Sequence, residues 1–135
     1  MLRAWTLRHR LGKAFVAPCD VILDDTTIVV PDVVFISKSR AAIMTARAIE
    51  GAPDLIVEVL SESTARHDRG VKMKLYARYG VDRYWIVDPD DRTLEIFALS
   101  ASGYTLVNTY RDDATVSCDV PAGLELRLGD VWPSE

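Results

Sequence analysis

At 135 residues, with 49% hydrophobic and 27% charged residues and a formal net charge of −4, the chain is expected to be one globular domain over 1–135, able to bury a core without disulfide or metal staples. The longest apolar runs are of strand length, far short of a membrane span, and the basic N-terminus lacks the apolar region of a secretory signal. Cys19 and Cys118 show no metal-ligand spacing and stand far apart, which argues against zinc and a disulfide framework and for free thiols in a reducing, cytoplasmic setting.

Residues 2 to about 14 place Leu2, Trp5 or Leu7, and Leu11 at roughly helical spacing, which predicts the end of an amphipathic helix. Arg3, Arg8, Arg10 and Lys13 are four of the 16 bases, so the remainder carries 12 bases against 20 acids, a net of −8. That is a poor overall field for nucleic acid, whose phosphates are normally met by Lys and Arg.

"CDVILDD" and "TTIVVPDVVFIS" predict two strands joined at an Asp-Asp turn, with Pro31 at an edge, a bulge or a strand start. "SRAAIMTARAIEG" has Ser39 as an N-cap and Gly51 as a stop, which fits a short helix. A strand over about 54 to 60 follows. "SESTARHD" is loop chemistry, from which Asp68 caps a helix running to Tyr79 and stopped by Gly80. "RYWIVD", the turn "PDDR" and "TLEIFAL" make a hairpin, and "YTLVNTY" and "LELRL" are further strands. The order calls for a mixed sheet with helices packed on it. No repeat or low-complexity segment appears.

Three ionisable residues stand where apolar ones are expected. Glu58 is alone in the aliphatic run from Leu55 to Leu60, and an ionised carboxylate is costly to bury without a cation. It shares a face with Ile56 and Leu60; Asp54 lies on that face too, but roughly 13 Å along the strand. Asp32 is a second acid in an aliphatic run. Neighbouring strands lie about 4.8 Å apart, so pairing in a suitable register lets both carboxylates reach one cation. Lys72 is the third. At about 100° per residue from Val71, Leu75 falls near 40°, Tyr79 near 80°, Tyr76 near 140° and Met73 near 200°. Lys72, at about 100°, is inside that apolar arc, while Lys74 and Arg78 point the opposite way. It therefore reads as a residue aimed at the sheet and is a candidate for the cation that Glu58 lacks.

Two readings of this set are open. In one, Glu58 and Lys72 form a buried structural ion pair and Asp32 is a turn or cap residue after Pro31. In the other, the two acids hold a divalent cation whose shell is completed by water and substrate phosphate. Ser61, Ser63 and Thr64 leave the strand where a phosphate contact is conceivable, although loop hydroxyls more often serve helix entry. Tyr76 and Tyr79 read as core, and His9 and His67 have no assigned role.

The stretches "VVPDVVFIS", "GAPDLIVEVLSEST", "HDRGVKMKLYARYGV" and "RYWIVDPDDRTLEIF" together resemble the Uma-two family of the PD-(D/E)XK, restriction-endonuclease-like superfamily, over about residues 12 to 100. The resemblance implies an α/β fold, a mixed β-sheet flanked by helices with an αβββαβ core, here followed by extra C-terminal strands. It makes Asp32 the metal-binding aspartate and Glu58 the second acid. The position two residues after that acid is held by Leu60, and Lys72 matches the variant in which the lysine has migrated to the following helix. The Val59 backbone carbonyl is implied as a further ligand. Relative to the family pattern the chain begins inside the first helix, without the acidic hairpin that precedes it, which makes a homo-oligomer a reasonable expectation. The expected activity is Mg²⁺- or Mn²⁺-dependent hydrolysis of nucleic acid, DNA ahead of RNA, with no membrane partner. The alternative is an inactive nuclease fold serving binding or assembly.

Overall fold

The computed structural model describes residues 12–61 and 68–132. Its main sheet has six strands: β1 (Gly12–Val16), β4 (Val33–Ser37), β6 (Leu55–Val59), β7 (Arg83–Asp88), β8 (Thr93–Ser100) and β9 (Gly103–Arg111), side by side in that order. β6 and β7 run parallel and every other neighbouring pair is antiparallel, the mixed sheet that the pattern predicts. β6 and β7 lie centrally, and their side chains from Leu55 to Glu58 and from Tyr84 to Val87 are buried on both faces. Such two-sided burial is why these segments read as near-continuous apolar runs, with Glu58 the exception.

Each face has its own core. On one, Ile56, Tyr84, Ile86 and Phe97 pack with Tyr76 of the helix α1 (Met73–Arg78) and with Val21 and Ile49 of a small second sheet. That sheet consists of β2 (Val21–Asp24), β3 (Thr27–Val29) and β5 (Ile49–Glu50), in the order β3-β2-β5. On the other face, Leu55, Val57, Trp85 and Leu94 are covered by the hairpin of β10 (Thr115–Cys118) and β11 (Leu124–Arg127). Burying one such aliphatic side chain contributes about 1.5–3 kcal/mol. Among the described residues no helix is long and apolar enough to cross a membrane.

Several local expectations change. Residues 12–14 of the predicted N-terminal helix belong to β1, and the rest of that prediction falls outside the described residues. Gly12 meets Ser37 of β4 so closely that a Cβ there would lie 2.1 Å from the Ile36 carbonyl oxygen. Pro31 separates β3 from β4, which go to different sheets.

In place of the helix predicted from Ser39 to Gly51 there is a 3-10 turn, Lys38–Ile43, whose cap position is Ser37 with no side-chain cap bond, followed by β5. Ile49 pairs instead with Val21 in β5, and the chain reverses where the Thr45 and Ala48 backbones bond at 3.0 Å. β-branched Ile49 gains more from that buried ladder than from a helix. Strand β10 was not anticipated, because its alternation around buried Val116 spans only four residues. The helix from Asp68 starts as a π-helical segment, Asp68–Lys72, before the α-helical turns of α1. It does stop at Gly80, whose φ of 81° suits glycine.

Candidate active site

The β4 and β6 strands pair antiparallel with Val33 opposite Val57. One further step in that register sets Asp32 opposite Glu58, on the α1 face of the sheet. Two hydrogen bonds lock the arrangement. The Asp32 N–H donates to Glu58 Oε1 at 3.1 Å, and the Val59 N–H donates to Asp32 Oδ2 at 2.7 Å. The suitable register demanded of the two acids is therefore present. In a strand, a residue's N–H and C=O point toward the same neighbour, so the Val59 carbonyl also faces the Asp32 side.

Glu58 is 1% exposed. Its Oε2 receives the Lys72 ammonium in a direct ion pair, and the Tyr76 hydroxyl lies 3.5 Å from the same oxygen. Tyr76 is itself buried and held edge-on against Tyr84, with ring centroids 5.3 Å apart. A buried carboxylate needs its lone pairs met and its charge compensated, and this set of partners does both. The Lys72 side chain retains 27% exposure, so its charge sits between the buried acid and solvent.

The wheel argument holds for Lys72, Tyr76, Leu75 and Met73, which turn inward, and for Lys74 and Arg78, which are exposed. It fails for Val71, 57% exposed, because the π winding before Met73 departs from 100° per residue. Asp54 is removed from the site: it accepts the Ser37 N–H at 2.6 Å and lies 3.7 Å from Arg40. Tyr79 bonds to Asp24 of β2 rather than to the core acid. Ser61 is exposed at the end of β6. Ser63, Thr64, His9 and His67 lie outside the described residues.

A family model described as "Putative restriction endonuclease", Uma2, matches residues 1–129. The chain belongs to the Uma2 family. Its fold is similar to a crystal structure from Anabaena variabilis described as a "putative nuclease belonging to DUF820", with a TM-score of 0.73 at 20% identity, covering 97% of this chain and 73% of that one. No curated protein matches significantly.

In this Uma2 member the candidate donors are two carboxylates and a backbone carbonyl, all hard oxygens. They suit Mg²⁺ or Mn²⁺, which commonly takes one or two carboxylates and completes its shell with water and phosphate. Among the described residues no group of three or more His, Cys, Asp or Glu side chains forms a protein cage. Two further residues of this Uma2 member bear on the candidate site. Tyr76 was read only as core, although it stands four residues after Lys72 and shares its arc. Glu95 was missed altogether, although it too is an acid in an apolar strand, "TLEIFAL". It forms an ion pair with Arg69, Nη1 to Oε1 at 2.6 Å.

Proposed function

We propose that this chain is a divalent-metal-dependent nuclease in which Asp32 and Glu58, with the Val59 carbonyl, hold Mg²⁺ or Mn²⁺ and Lys72 is the catalytic cation. The observation that carries the reading is the register that sets Asp32 opposite Glu58 with the Lys72 ammonium on the same carboxylate. A metal held by these residues would lower the pKa of a bound water and stabilise charge on a phosphate. Asp32 is held in place by the Val59 N–H, and Glu58 by the Asp32 N–H and Tyr76. Lys72, partly exposed, orients a water or neutralises charge developing on the phosphate. Membership in a family described as "Putative restriction endonuclease" supports nucleic acid as the substrate. The same reading takes DNA ahead of RNA, a cytoplasmic location and self-association; sedimentation of the purified chain tests the last.

A second reading has one observation in its favour: both oxygens of Glu58 already have protein partners, as in a purely structural ion pair within an inactive binding module. Calorimetric titration of Mn²⁺ into the wild type and Glu58→Gln separates the two. Binding lost in the variant supports the metal site. Absence of binding to a folded wild type refutes it.

A further inference from the structure

We propose that Arg69 and Glu95 form a clamp that positions Lys72 over Glu58. The inference rests on the reading of Glu58 and Lys72 as part of the site. Its basis is a row across the sheet: Glu58 on β6 is opposite Ile86 on β7, and Ile86 is opposite Glu95 on β8. The two acids therefore stand on the same face, two strand spacings or about 10 Å apart. The five-residue π-helical segment Asp68–Lys72 lies over this row and sends a cation to each end, Lys72 to Glu58 and Arg69 to Glu95.

The winding of the segment explains how it can straddle Ile86. In an α-helix, residues three apart differ by only about 60° around the axis and crowd one spot. The wider π winding turns less per residue and spreads Arg69 and Lys72 further apart. One ion pair alone would be a pivot about which the segment could rock. The second, three residues earlier and two strands away, fixes its orientation.

The surroundings of Glu95 favour this role over a surface contact. It sits between buried Leu94 and Ile96, its side chain is 18% exposed, and Oε1 is buried. Among the described residues Oε1 makes no hydrogen bond of good geometry. The guanidinium at 2.6 Å thus answers it by charge. An acid in an apolar strand costs stability unless a cation meets it. Here that cation belongs to the segment that delivers Lys72, so Arg69 and Glu95 are positioning residues.

The test observes Lys72 itself by ¹H–¹⁵N correlation of lysine ammonium groups, with the Lys72 signal identified by its disappearance in Lys72→Arg. In the wild type the ion-paired ammonium is expected to be protected from solvent exchange. Glu95→Gln and Arg69→Gln should each speed that exchange several-fold with the amide spectrum still dispersed, and the swap Arg69→Glu with Glu95→Arg should restore protection. Arg69 is half-exposed, so Arg69→Gln keeps the test alive if Glu95→Gln fails to fold. Unchanged Lys72 exchange in folded Arg69→Gln overturns the clamp, even if the melting temperature falls. Failure of the wild type to bind Mn²⁺ would instead strike the nuclease reading and leave the clamp result standing.

Discussion

Replacing Lys72 with methionine removes the charge opposite Glu58 while keeping most of the side chain's volume. Stripping one partner from a buried ion pair costs about 3–5 kcal/mol when the remaining charge is stranded. Here Glu58 is 1% exposed but keeps the Asp32 N–H and the Tyr76 hydroxyl, and the lost side chain was 27% exposed. These remaining partners reduce the expected cost of Lys72→Met to about 2–3 kcal/mol. For a chain of this size that corresponds to a melting temperature about 6–12 °C below the wild type in EDTA. A divalent cation held by Asp32 and Glu58 would replace the missing charge. At a free concentration a hundred times its dissociation constant it stabilises by about 2.7 kcal/mol, enough to cancel the deficit. Melting curves in EDTA and across a Mn²⁺ series are the assay. The variant should gain more from Mn²⁺ than the wild type does, because Lys72 no longer competes for the carboxylate. If Lys72→Met melts with the wild type in EDTA, the buried-pair argument is wrong. If it is destabilised and Mn²⁺ moves neither protein, the metal site is wrong.

Burial, with help from Asp119, pushes the Cys118 thiol from 9.0 up to about 11. Its folded-state pKa is raised, so its contribution to stability is complete below pH 9 and is lost as pH rises toward 11; Cys118→Ala should flatten that part of the stability profile. The Tyr104 phenol, also raised by burial, and donating to the Val81 carbonyl at 2.6 Å, adds a loss of the same sign above pH 10; Tyr104→Phe should cost about 1 kcal/mol near neutrality by chemical denaturation. The Tyr79 hydroxyl beside Asp24 holds that carboxyl below its ordinary value of 3.8. Stability from that depressed pKa is present above 3.8 and lost as pH falls, so Tyr79→Phe should make acid unfolding less steep below pH 4. Ile86→Ala, at a side chain 1% exposed between Glu58 and Glu95, should cost about 2–5 kcal/mol in urea denaturation.

Glu58 and Asp32 stood out in the sequence because a charge in an aliphatic run violates a strong burial rule, and Lys72 because a lone cation on a helix's apolar arc violates the same rule with the opposite sign. The central strands were legible for a related reason: two-sided burial leaves an apolar run broken only by Glu58 in Leu55–Val59 and an unbroken one from Tyr84 to Val87. Ile49 was misread because a two-residue strand carries no period of its own; only its parallel pairing with Val21 makes it one.

By itself, then, the sequence determined which residues are too costly to bury alone and which segments must be covered on both faces, since both follow from local composition and spacing. The tertiary structure alone decided that the two acids meet, because strand register is a long-range property: a slip of one residue between β4 and β6 would turn Asp32 away from the face that holds Glu58. It also decided that the π winding after Asp68 sends its two cations to separate acids, since Glu95 approaches that segment only once β7 has paired with β8.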